Sequence, residues 1–173
     1  YAMLASITGI VLNLLLFAGK LSVGILAVSV AVIADAFNNV SDAGSSVITL
    51  IGFRLSGKHE DKRHPWGHGR LEYVSAFIVD MLIILVGAEL LKSSVDKIIH
   101  PELPAVSAAT IVLLAVAILV KLWLFLFYRK IGALINSSAI KAASFDSISD
   151  TVATTLVLVS ALIGKFAGVG IDG

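Results

Sequence analysis

Residues 28–53 read VSVAVIADAFNNVSDAGSSVITLIGF. At 1.5 Å per residue the stretch is long enough to cross a hydrocarbon core of about 30 Å. It nevertheless carries Asp35, Asn38, Asn39 and Asp42, so hydropathy alone leaves it undecided. Its neighbours settle the reading. Residues 2–26 hold no charge before Lys20, and further apolar segments occupy about 71–91, 105–128 and 132–164. Five segments of spanning length predict an all-α, polytopic transmembrane helix bundle forming one membrane domain over residues 1–173.

Composition agrees. The 173 residues are 58% hydrophobic and 14% charged, with a net charge of +1 and a mean hydropathy of +0.98. A soluble domain carries roughly 25% charged residues, so a water-facing exterior cannot be built from this chain. The near-neutral charge gives no ground for a nucleic-acid partner. The absence of Cys excludes disulfides, thiolate metal sites and cysteine nucleophiles. The chain opens at Tyr1, and its first apolar stretch is longer than a signal-peptide core, so a trimmed terminus and not a leader is expected.

Lys and Arg set the expected orientation. Arg54, Lys58, Lys62, Arg63 and Arg70 lie between the second and third helices, and Arg129 and Lys130 lie in an expected tight turn between the fourth and fifth. Only Lys92, Lys97 and Lys165 fall on the other side. The positive-inside rule therefore makes loop 54–70 and the N-terminus cytoplasmic. The aromatic cluster Trp123, Phe125, Phe127 and Tyr128 is expected at a membrane interface.

The acidic groups inside the spans carry the chemistry. Asn38 and Asp42 are four residues apart on the second helix, and Asp146 and Asp150 are four apart on the fifth. That spacing puts each pair on one helix face. Each carboxylate left in hydrocarbon costs on the order of 2.5–3.5 kcal/mol, so the groups must face the bundle interior, a wet cavity or each other. Two facing clamps offer four oxygen ligands. An oxygen-only set favours Mn²⁺, Mg²⁺ or Ca²⁺ and admits Fe²⁺, over Zn²⁺ or Cu⁺. When the metal leaves, carboxylates crowded in a small space draw in protons, which couples metal release to proton uptake. The alternative is that these residues only pair with Lys20, Lys121 or Lys141, or hydrogen-bond between helices, without binding an ion. Asp35, seven residues before Asp42, is open equally to metal ligation and to a pathway role or an ion pair with Lys20.

A second constellation is Asp61, His64 and His68 in the loop DKRHPWGHGR at 61–70. Two imidazoles and a carboxylate suit a transition metal. An ordinary hydrogen-bonded loop is the equal alternative.

Taken together, Asn13-x6-Lys20-x3-Gly24, SVAVIADAFNNVSDAGSS at 29–46, HPWGHGRLE at 64–72 and KAASFDSISDT at 141–151 resemble the cation diffusion facilitators. The resemblance covers essentially the whole chain. It implies proton-coupled export of a divalent metal, no enzymatic activity and no cofactor, with the ion, protons and lipid as partners in a homodimer. It implies a cell (inner) membrane location. The family's transport site falls on Asn38, Asp42, Asp146 and Asp150, and its variable second metal site on Asp61, His64 and His68. Zinc-transporting members typically have His at the first position of the helix 5 pair, where Asp146 stands, and His or Asp where Asn38 stands. The departure resembles the manganese-exporting branch, which makes Mn²⁺ the expected ion and Zn²⁺, Fe²⁺ or Co²⁺ the alternatives. The family has six transmembrane helices and usually a cytoplasmic C-terminal domain, and both the sixth helix and that domain are expected to be absent here. Two readings from other classes compete. One is a metal receptor without transport. The other is an intramembrane aspartyl protease, but such proteases carry Gly-x-Gly-Asp and none of Asp42, Asp146 and Asp150 has that context.

Overall fold

The computed structural model describes residues 1–55, 69–100 and 106–167. They form five α-helices: α1 (Ala2–Ala27), α2 (Val30–Leu55), α3 (Gly69–Ile99), α4 (Ala108–Leu134) and α5 (Ser138–Ala167). The all-α expectation holds. Among the described residues, α1, α4 and residues Ser138–Phe166 of α5 are long and apolar enough to cross a membrane. Helix α2 has the same length but is broken in polarity by Asp35, Asn38, Asn39 and Asp42.

Two helical hairpins make the body of the bundle, α1 on α2 and α4 on α5, joined by narrower α1–α4 and α2–α5 contacts. Helix α3 rests on α2. Both hairpins turn by the same device. Val28 (φ 52°) and Asn136 (φ 48°) adopt the left-handed conformation. The following serine sends its backbone N–H to a glycine carbonyl five residues back, Ser29 to Gly24 (3.0 Å) and Ser137 to Gly132 (3.1 Å), which closes the preceding helix. The same serine then caps the next helix, Ser29 Oγ accepting from Val32 N (3.2 Å) and Ser137 Oγ from Ile140 N (3.4 Å).

The observed ends differ from the expected ones where capping, which hydropathy does not see, sets them. Arg129 and Lys130 do not form a turn: α4 continues through both to Leu134, and the reversal is at 135–137. Helix α3 extends past 91 to Ile99, so that Lys97 Nζ donates to the Val28 carbonyl at the end of α1. Tyr128 is buried in the bundle, while Trp123 is exposed and stacks on Phe127 at 4.9 Å.

The distribution of polarity is reversed relative to a soluble protein. Leu15, Leu26, Leu119, Leu126, Leu156 and Phe166 lie on the outside, while Asn13, Lys20, Asp35, Asn39, Lys121 and Thr154 are buried. On α1 and α4 the buried residues run along one stripe. On α1 the stripe is Ser6, Gly9, Asn13, Leu16, Lys20 and Gly24; on α4 it is Leu114, Ala117, Lys121, Leu124 and Tyr128. The three- and four-residue spacing puts the Asn13-x6-Lys20-x3-Gly24 motif on the face that meets the other helices. Small residues there let the backbones approach closely, as in other membrane bundles. A Cβ on Gly24 would lie 2.9 Å from Ile33 Cγ1 and 3.2 Å from the Ile33 backbone nitrogen. Gly24→Ala is therefore expected to destabilise the protein by about 1–3 kcal/mol, read as a lower thermal midpoint in detergent, whereas alanine at Gly87, which meets nothing within 4 Å, should leave it unchanged.

Candidate metal centre

Three elements build the site. Helix α2 carries Asn38 and Asp42, α5 carries Asp146 and Asp150, and α4 inserts Lys121 between them. Oxygens of Asp42, Asp146 and Asp150 all lie within 4.8 Å of one another. Asp42 and Asp150 are buried, while Asp146 is open to the adjoining cavity. The two i,i+4 pairs thus meet face to face, with Asn38 donating its Nδ2 hydrogen to Asp150 Oδ1. In that rotamer the amide turns its nitrogen inward, and a half-turn of the amide would present the oxygen instead.

Lys121 occupies the middle. Its Nζ is 2.6 Å from Asp42 Oδ2 and 2.6 Å from Asp150 Oδ2, and the residue is 1% exposed. The lysine pairing weighed from the sequence is therefore present for two of the four clamp residues. It coexists with the clustering of the carboxylates. Formally, three carboxylates and one ammonium leave two negative charges, which one divalent cation neutralises.

A cavity of about 390 Å³ opens on this cluster. Asp42, Asp146, Lys121 and Asn13 form its inner wall, and Ser46, Tyr128, Ala5 and Ala139 line it towards the end where α1 begins and α4 finishes. Gly9 is what admits Tyr128, since a Cβ there would overlap the Tyr128 hydroxyl.

On the other side of the cluster a second buried node closes the bundle. Lys20 Nζ is 2.8 Å from Asp35 Oδ2 and donates to Thr154 Oγ1 at 3.1 Å, and the Thr154 hydroxyl lies 3.0 Å from both Asp35 oxygens. Of the roles open to Asp35, the structure shows the ion pair. Lys141 takes no part in either node and donates to Asn136 Oδ1 at 2.8 Å. His100 lies 3.4 Å from Asp96 at an exposed helix end. Asp61, His64 and His68 lie outside the described residues.

The sequence reading treated Lys121 as a pairing partner and did not place Asn13 or Tyr128 in the site. A signal was available for Lys121: it is the one charge in the run 108–128, on the same heptad-spaced stripe as Leu114 and Tyr128. An ionisable residue so placed within a span is functional by default. Nothing comparable marked Tyr128, whose aromatic neighbours suggested an interface.

Geometry and fold define a membrane helix bundle with a cluster of carboxylates, able to hold a cation, at the head of a cavity. Residues 6–172 match the family model described as the cation efflux transmembrane domain. An uncharacterized transporter of Methanocaldococcus jannaschii is 31% identical over 92% of this chain and 56% of its own length. The manganese efflux system protein MneP of Bacillus subtilis is 30% identical over 91% of this chain and 53% of its own length. The magnetosome protein MamB of Paramagnetospirillum magneticum is 31% identical over 85% of this chain and 49% of its own length. The chain belongs to the cation efflux family, the cation diffusion facilitators, and is an integral membrane protein. It spans about half the length of these curated relatives.

The Lys20 node makes a prediction independent of metal. Asp35→Ala leaves a buried ammonium without its counter-charge and should cost about 3–5 kcal/mol, whereas Lys20→Met with Asp35→Leu together should restore most of it. Unfolding midpoints of the single and double variants in the same detergent decide this, and equal losses in both would show that the pair is not the source.

Proposed function

We propose that the protein exports a divalent metal cation from the cytosol in exchange for protons, with Mn²⁺ as the principal substrate and Asn38, Asp42, Asp146 and Asp150 as its transport site. The observation that carries this reading is the cluster of three carboxylates from two helices, within 4.8 Å of one another at the inner end of an open cavity. Membership of the cation efflux family and the similarity to a manganese efflux protein support it.

The donors are oxygens, with no His or Cys among them, and oxygen ligands suit hard or borderline ions such as Mn²⁺ better than they select Zn²⁺. Affinity for Zn²⁺, Fe²⁺ or Co²⁺ persists at such a site, so selectivity rests on ligand identity. The cavity runs towards the membrane face that carries Arg129, Lys130 and Arg54, which the positive-inside rule assigns to the cytosol. In this arrangement the site loads from the cytosol while the Lys20–Asp35–Thr154 node seals the far half of the bundle. Alternating access then requires the α1–α2 and α4–α5 hairpins to rock about the site, opening that node and closing the cavity. Protons and metal compete for the same carboxylates, and each must favour a different orientation for the exchange to be coupled. The family's homodimer and a cell-membrane location belong to the same proposal.

Uptake into proteoliposomes under an imposed pH gradient tests the reading directly. Mn²⁺ flux that depends on the gradient and vanishes in Asp150→Ala is the expected outcome; Zn²⁺ flux without Mn²⁺ would overturn the substrate, and gradient-independent flux would overturn the coupling. Replacing Asn38 and Asp146 together by His should move preference from Mn²⁺ towards Zn²⁺, because imidazole nitrogen favours the later ion. Unchanged selectivity in that double variant would mean that the four residues do not form the selecting site.

A further inference from the structure

The most buried cation of the site belongs to the protein. Lys121 Nζ sits 2.6 Å from one oxygen of Asp42 and 2.6 Å from one oxygen of Asp150. A metal bound to those two oxygens at about 2.0–2.6 Å would lie within about 5 Å of that ammonium wherever it sat. Charge alone permits both, since the three carboxylates balance an ammonium and a divalent ion, but at 2.6 Å from each oxygen the ammonium stands where a metal bridging the same two oxygens would have to sit. The limit is one of place: the ammonium lies between Asp42 Oδ2 and Asp150 Oδ2 and keeps a metal from bridging them. The ammonium and the metal are therefore alternatives at these two carboxylates.

Lysine has the means to move. Its charge rides on a flexible four-carbon stem, and Lys121 is itself part of the wall of the 390 Å³ cavity. The same wall contains Asn13, which is 3% exposed and whose Oδ1 is buried and receives no hydrogen bond from the protein. Contacts between α1 and α4 place the two at one level: Gly9 faces Tyr128 and Gly19 faces Leu113, so Asn13 falls opposite the stretch that holds Lys121. A buried acceptor without a donor is costly, and an arriving ammonium would satisfy it.

Resting on the reading of Asp42, Asp146 and Asp150 as the transport site, we propose that Lys121 is a tethered counter-cation, displaced by the incoming divalent metal from Asp42 and Asp150 onto the amide oxygen of Asn13. The metal-free site is then held together by a cation of its own. Metal affinity is lowered by the fraction of time the lysine occupies the carboxylates, and that competition helps the metal to leave.

The test is Mn²⁺ binding to the full-length protein in detergent, measured by titration calorimetry, with size-exclusion profiles checking that each variant is folded. Lys121→Met removes the competitor and should tighten Mn²⁺ binding by about tenfold or more, in proportion to the occupancy it relieves. Lys121→Arg should weaken it, because the guanidinium fork bridges two carboxylates and is harder to displace. A purely structural lysine would make both variants weaker, and that result, or an unchanged dissociation constant in Lys121→Met, overturns the proposal. Should the methionine variant fail to fold, the arginine variant still decides: binding as tight as in the unmodified protein refutes displacement. Asn13→Leu should weaken binding in the unmodified background and have no effect on top of Lys121→Met. A loss that persists in the double variant makes Asn13 a metal ligand and refutes its role as the acceptor. Asp150→Ala separates the two readings: undiminished Mn²⁺ binding there rejects the transport site itself, whatever Lys121 does.

Discussion

Two buried lysines hold this bundle together, each by closing an ion pair between helices. Lys121 on α4 reaches Asp42 on α2 and Asp150 on α5, and Lys20 on α1 reaches Asp35 on α2 and Thr154 on α5. Water is scarce around both, so each charge must find its opposite within the protein. That requirement fixes which faces of four helices turn inward. The apolar side chains are free to face outward because lipid tails solvate them as well as another leucine would.

The same requirement explains how a cluster of carboxylates is tolerated inside the bundle. Without compensation, three acidic groups within 4.8 Å would repel one another and force the helices apart. Lys121 supplies compensation from inside the fold. The cluster is thereby balanced in part by the protein itself, and the proposed metal binding would be an exchange of one cation for another. The Lys20 node does not line that cavity, and its threonine bridges the pair, accepting from Lys20 and lying 3.0 Å from both Asp35 oxygens.

Much of this was legible in the residues. The i,i+4 spacing of Asn38 with Asp42 and of Asp146 with Asp150 put each pair on one face, and the cost of carboxylates in hydrocarbon turned those faces inward. What the spacing lacked was the angle between helices and the identity of the third partner. Lys121, Lys20 and Lys141 were equivalent candidates as pairing partners, and only the packing separated them: the first two lie on buried stripes, whereas Lys141 sits near the 135–137 turn and meets Asn136. The turn between α4 and α5 was also missed by several residues, because it depends on Ser137 and on the positive φ of Asn136, which hydropathy does not register.

Sequence by itself determined that this chain is a helical membrane domain with acidic clamps on its second and fifth helices. Hydrophobic length and periodicity are properties of a single segment, and they require no knowledge of its neighbours. Tertiary structure alone decided that the clamps meet, that Lys121 stands between them, and that Asn13 and Tyr128 border the cavity. Those are contacts between residues up to 112 positions apart, and their geometry is set by how closely Gly9 and Gly24 let the helices approach, which no one helix encodes.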